Sequence, residues 1–239
     1  MLGSAGLRSS RADLLKVFHI LLDAYGPQNW WPVDEDYHRE HGTDPREEII
    51  IGAVLTQNTS WRNVEKALEN LKAERALSLE AIRHMPETTL QELIRPSGYY
   101  RLKAKRLKEV ARHLYPVDRV MTITRRELLK INGIGRETAD VILLYAGNRL
   151  HFVIDSYTKR IVDRVFGLKG GYEELKGWFE ENLPRDIRIY KEFHALLDEH
   201  AKRLCRKTPL CTGCPLEDMC GYRYNNYNPC KGGIWLLNN

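Results

Sequence analysis

Four cysteines crowd one short stretch, Cys205-x5-Cys211-x2-Cys214-x5-Cys220. Thiolates placed this closely can ligate one tetrahedral zinc or one iron–sulfur cluster. Zinc sites usually pair their cysteines two to four residues apart, in two knuckles. A single x2 pair between two x5 gaps favours a cubane cluster over zinc. Cys230, ten residues further on, reads as a bystander. The opening Met1–Ser10 carries arginine and small residues without an apolar segment. That argues against a secretory signal, and hence against the oxidising compartment that disulfides need.

A second group of residues suits chemistry on an anion. Asn132-Gly133-Ile134-Gly135 is a short turn between two apolar helical patterns. Such a turn can direct several backbone N–H groups outward at a helix start, which makes an anion site; on a basic protein the anion to expect is a phosphate. Lys130 and Arg136 flank the turn. Glu137 falls in the first turn of the following helix, where a carboxylate interacts favourably with the dipole. Asp155 follows an apolar run and precedes a helix starting near Ser156, so it is placed to be an N-cap. A carboxylate there has a lowered pKa and stays ionised, as stabilising a developing positive charge requires. Gln57 and Asn58 close an apolar helix in AVLTQNT, either as an ordinary helix end or as amides facing a groove. Trp30, Trp31 and Trp61 read as core or loop anchors ahead of base-stacking platforms.

The elements that must position these residues are almost all helices. Ser10 can cap a first helix with Leu14, Phe18, Leu21, Leu22 and Tyr25 on one face, ending at Gly26-Pro27. Helices are predicted over Glu47–Gln57 and Ser60–Leu71, around Leu79–His84 and Leu90–Ile94, and as a basic amphipathic helix over Arg101–Tyr115. Thr124 and Glu127 make a T-x-x-E capping box for a short helix through Ile131. Arg136–Ala146 forms the second arm of the hairpin, and further helices run near Ser156–Phe166, Tyr172–Asn182 and Ile187–Leu204. Leu150–Ile154 is the one strand candidate.

The chain has 239 residues with a net charge of +5, 43% hydrophobic and 29% charged. That is a globular composition, without a run apolar enough to span a bilayer. The charge is uneven. From Asp34 to Glu48 seven acids stand against two bases; from Arg95 to Lys130 eleven bases stand against three acids. The basic run lies beside the glycine turn, which suits a nucleic-acid footprint.

Taken in order, AVLTQNT, SGYYRLKAKRL, LLKINGIGRETAD, FVIDSYTKR and the cysteine loop ending CPLEDMC make the chain resemble the endonuclease III family of helix-hairpin-helix DNA glycosylases, over roughly residues 47–220. The resemblance implies an all-α fold of two helical lobes around a DNA cleft. One lobe, 36–150, is a central helical barrel with the hairpin; the other, 1–35 with 151–239, carries a 4Fe-4S cluster. It implies Asp155 as the catalytic carboxylate and Cys205, Cys211, Cys214 and Cys220 as cluster ligands. The turn Asn132, Gly133, Ile134 and Gly135 grips DNA, with Lys130, Arg136, Gln57 and Asn58 nearby. The first cysteine gap is x5 where the family prototype has x6. Bifunctional members place a lysine straight after G-x-G-R, and Glu137 stands there; a carboxylate cannot form a Schiff base. The pattern is closest to the branch that excises alkylated purines such as 3-methyladenine. The implied partner is double-stranded DNA with a damaged base, bound by a monomer with no membrane attachment, in the nucleoid-associated cytoplasm of a prokaryote. Excision of an oxidised pyrimidine, uracil or mismatched thymine is the same-fold alternative. A non-catalytic DNA-binding or redox-sensing module is the alternative of another class.

Overall fold

The computed structural model describes residues 11–222; Ser10 and Cys230 lie outside the described residues. Among those described there are helices and turns and no β-strand. The fold is all-α. The chain divides into two compact units, Trp30–Val153 and Met1–Asn29 with Ile154–Asn239. The joints expected from the sequence were 35/36 and 150/151.

The 30–153 unit is built on α3 (Pro45–Leu55), whose residues from Glu47 to Leu55 are all buried. A helix apolar on every side is a core helix. Asp44 starts it, with Pro45 at the first helical position and a capping box closed by Glu47. The unit also holds α2 (Glu35–His41), α4 (Trp61–Ala73), α5 (Leu79–His84), α6 (Glu87–Leu93), α7 (Tyr100–Leu114), α8 (Arg125–Leu128) and α9 (Arg136–Val141), of which α4, α7 and α9 pack on α3. α2 has no apolar period, so the sequence reading missed it. Its punctuation is nonetheless present: Asp34 accepts from the Tyr37 amide at 3.0 Å, and Gly42 closes the helix in the left-handed conformation.

Three expectations are corrected here. The hairpin's second arm does not run as one α-helix to Ala146. It changes to a π-turn over Ile142–Ala146, every residue of which is buried. Its first arm ends at Leu128 rather than Ile131. Leu150–Ile154 is irregular, and Phe152, Val153 and Ile154 are buried in succession. A run buried on both faces reads like a strand in sequence, but this one has no partner strand among the described residues.

The described part of the other unit comprises α1 (Arg11–Tyr25), α10 (Ser156–Phe166), α11 (Tyr172–Asn182), α12 (Ile187–Arg203) and the cysteine loop. Leu14, Val17, Phe18 and Leu21 bury the inner face of α1. Phe193 of α12 receives Phe18 edge-on at 5.5 Å and Phe179 at 5.9 Å. Each such ring contributes roughly 1.5–3 kcal/mol by burial. This packing fixes α12, and with it the residues that face Asp155.

Candidate functional site

The hairpin begins with the capping box expected from the sequence. Thr124 accepts from the Glu127 amide at 3.2 Å, and Glu127 accepts from the Thr124 amide at 2.7 Å. The Ile134 amide then donates to the Ile131 carbonyl at 3.0 Å and folds the turn. Gly133 sits at φ +84°, and a β-carbon there would collide with the Arg106 side chain. Gly135 differs. It begins α9 in an extended conformation, and a β-carbon there would meet open space. Lys130, Asn132, Gly135, Arg136 and Glu137 are all exposed, whereas Ile134 is buried as an anchor.

Gln57 does not point away as a free amide. Its Nε2 donates to the Gly133 carbonyl at 3.1 Å and to Thr138 Oγ1 at 2.9 Å, so it braces both sides of the turn. Arg106 Nη1 donates in turn to Gln57 Oε1. Asn58 is exposed, with φ +54°. The basic run divides in two. Lys103 is buried and donates to the carbonyls of Leu55 (2.8 Å) and Ser97 (2.7 Å), and Arg125 pairs with buried Asp140 at 2.7 Å. Arg101, Lys105, Arg126 and Lys130 stay exposed, as do Tyr99 and Leu102 at the start of α7. The tryptophans pack on one another: Trp30 on Trp61 (4.8 Å), Trp31 on Trp61 (5.4 Å) and Trp31 on Tyr145 (5.6 Å).

In the other unit Asp155 is both N-cap and half-buried carboxylate. One oxygen accepts from the Thr158 amide at 2.6 Å; the other lies 3.7 Å from His194 Nε2. Burial alone pushes its pKa up, but His194 and the Thr158 groups outweigh it, and the net direction is downward. Asp155 is thus held ionised. Asp198, one turn beyond His194 on α12, goes the other way: burial raises its pKa, and the charge of Asp155 adds to the rise. Sequence reading missed both residues. They lie some forty positions from Asp155, on a helix whose pattern signals only its apolar face.

Cys205, Cys211, Cys214 and Cys220 line one small pocket, with Leu204, Leu210, Leu216 and Val165 among its walls. Burial pushes the Cys214 thiol up to about 11, and the three other thiols add to the rise. So many thiols in an apolar enclosure suit a cationic metal centre, which favours their deprotonation. Among the described residues no three such side chains close on a single ion position; the sulfurs ring the pocket instead. Around them His200 Nε2 lies 3.8 Å from Cys214 Sγ, and Arg164 Nη1 donates to Cys205 Sγ at 3.3 Å. Arg164 also donates to the carbonyls of Arg206 and Lys207, and Arg160 to that of Cys205.

The description of the HhH-GPD superfamily of base excision DNA repair proteins matches residues 51–185. A Methanocaldococcus jannaschii protein provisionally named a DNA repair glycosylase is 49% identical over 87% of this chain and 95% of its own. An Aeropyrum pernix thymine-DNA glycosylase is 31% identical over 82% of this chain and 92% of its own. Among solved structures, an H. pylori 3-methyladenine DNA glycosylase bound to 1,N6-ethenoadenine is 30% identical, with a TM-score of 0.68 over 81% of this chain and 98% of its own.

Proposed function

We propose a reaction for this chain, which belongs to the HhH-GPD superfamily of base excision DNA repair proteins and is a DNA glycosylase of that superfamily. It hydrolyses the N-glycosidic bond of an alkylated purine such as 3-methyladenine in double-stranded DNA, without lyase activity. It works as a monomer at the nucleoid of a prokaryote. One observation carries the reading: an aspartate held ionised at a helix start, in a chain whose hairpin helix begins Arg136-Glu137 rather than Arg-Lys. The 3-methyladenine glycosylase of H. pylori supports the substrate class.

The target nucleotide leaves the base stack and enters the enzyme. Amides of the 132–136 turn, with Lys130 and Arg136, hold a backbone phosphate; Gln57 fixes the turn from behind, and Asn58 meets the DNA from its exposed loop. The C1′–N bond breaks, and its electron pair leaves with the base. Asp155 stabilises the oxocarbenium-like sugar and orients a water, whose oxygen bonds C1′ and whose proton passes to solvent. A purine alkylated at N3 or N7 is already cationic and leaves readily as a neutral base, so the barrier is lowered by charge and position more than by a strong acid. Glu137, being a carboxylate, offers no amine for a Schiff base.

Cys205, Cys211, Cys214 and Cys220 would hold a 4Fe-4S cluster, whose chemistry here is to cross-link the loop. The loop bases are not equal. Lys202 and Arg203 pair with Asp198 and Glu199 on their own helix, while Arg206 and Lys207 are exposed and would be the loop bases that meet DNA. The purified protein should be brown and contain four irons per chain; one zinc and no iron would exclude the cluster.

The deciding experiment is a panel of duplexes, each with one lesion. Released 3-methyladenine, with strands that break only on hot alkali, is the expected result. Nicking without alkali and a borohydride-trapped adduct would refute the monofunctional reading. The A. pernix relative favours one second reading, thymine excision, and preferential release from a G·T mismatch would establish it.

A further inference from the structure

We propose that His194 is a positioning residue for Asp155, holding the carboxylate oxygen that the α10 amide leaves unheld. The inference rests on the reading of Asp155 as the catalytic carboxylate. An N-cap aspartate with a single amide contact can rotate about its side-chain bonds, and the Thr158 amide takes only one oxygen, at 2.6 Å. His194 Nε2 stands 3.7 Å from the other. Both side chains are mostly shielded, at 14% and 16% exposure, so their attraction is screened far less than at a surface. The apolar packing of Phe193, adjacent in α12, fixes the histidine in turn.

Titratable groups stand near His194 on its own helix and on α10. Asp155 comes from the start of α10, and Asp198 stands one turn along its own helix with Lys202 paired behind it. Lys191 lies one turn before. α1 meets α12 through the apolar Phe18 and, further along at His200, through the Tyr25 hydroxyl at 2.8 Å. His194 therefore lies between two carboxylates. It holds Asp155 in place and favours its ionised form, which is the form the oxocarbenium needs.

The sign of the pH effect follows. Base release requires ionised Asp155, so the rate falls as pH falls through its pKa. His194 helps to lower that pKa. Removing the imidazole therefore moves the acid limb of the rate profile to higher pH.

The test compares His194→Ala, His194→Gln, Asp155→Asn and the Asp155→Asn/His194→Ala double variant. Single-turnover base release is measured on methylated duplex DNA, and affinity on a duplex with a stable abasic analogue. His194→Ala should slow release about tenfold, since misplacement of a reacting group typically costs up to ~10²-fold. It should raise the acid limb and leave abasic-duplex affinity unchanged. His194→Gln, which keeps a donor near Nε2, should recover most of the rate. In the Asp155→Asn background, loss of His194 should cost nothing further, as expected of groups acting as one unit. An unmoved acid limb, an additive loss in the double variant, or a parallel loss of duplex affinity would each overturn the proposal. A wild-type rate in Asp155→Asn would instead remove the catalytic reading beneath it.

Discussion

The hairpin and the Asp155 cluster hold their functional groups in opposite ways. The hairpin presents backbone, and its geometry is mainly local: a capping box four residues long, one left-handed glycine and one extended glycine. Gln57 and Arg106 reach it from afar. Asp155 presents a side chain. Its local contacts come from Thr158, whose amide donates to one oxygen, and His194 of α12 stands by the other. The contrast follows from the ligand each would meet. A phosphate accepts several hydrogen bonds from any N–H, so backbone suffices. A developing cation needs one charge at one place, which calls for a side chain fixed by others.

The largest effect tests the charge. Asp155→Asn keeps the cap and the shape but not the charge. Base release should fall by ~10²-fold or more, with abasic-duplex affinity retained. Equal losses of binding and release would make Asp155 a structural cap and blur the contrast.

The next tests concern the hairpin. Gly133→Ala should weaken duplex affinity about tenfold, because the left-handed backbone costs a non-glycine residue roughly 1–2 kcal/mol and the new methyl must displace Arg106. Gly135→Ala, extended and facing open space, should bind nearly as wild type. Gly135→Asp places a negative charge at the same point and should weaken binding strongly. Equal behaviour of Gly133→Ala and Gly135→Ala in a binding titration would show that turn geometry is not the grip. Gln57→Ala removes the two hydrogen bonds that it donates and the one that it accepts from Arg106, about 1 kcal/mol each. A lower melting temperature and a loss of affinity of a few fold are expected, without a change in the acid limb of base release.

The smallest effect concerns Lys103, behind the hairpin. Burial first, and the charge of Arg106 second, push its pKa down to about 8. Between pH 8 and the ordinary lysine value the unfolded chain binds more protons than the folded one. Stability attributable to Lys103 therefore rises with pH across that window, by at most about 1.4 kcal/mol per pH unit. Urea midpoints at neutral and alkaline pH, compared between wild type and Lys103→Met, should diverge in that direction. Parallel midpoints would show that the buried ammonium carries no penalty.

What could be read ahead of the structure follows the same division. Thr124 and Glu127, Gly133 and Asp155 are legible because capping and turn chemistry act over three or four residues. α2 was illegible because one tyrosine among six polar residues carries no period, and Leu150–Ile154 misled because burial on all sides imitates a strand. Within the basic run, nothing in the spacing separates buried Lys103 from exposed Lys105.

The sequence by itself determined the helical class, the hairpin's punctuation, the four-cysteine spacing and the absence of a lysine at position 137. All of these are properties of residue type and short separation. Tertiary structure alone decided that Gln57 braces the turn from 76 residues away. It also decided that the four thiols ring one apolar pocket and that His194 stands beside Asp155. Those facts depend on which helices pack together and in what register. A single chain's pattern does not encode them, because an apolar stripe states that a face is buried and not what it is buried against.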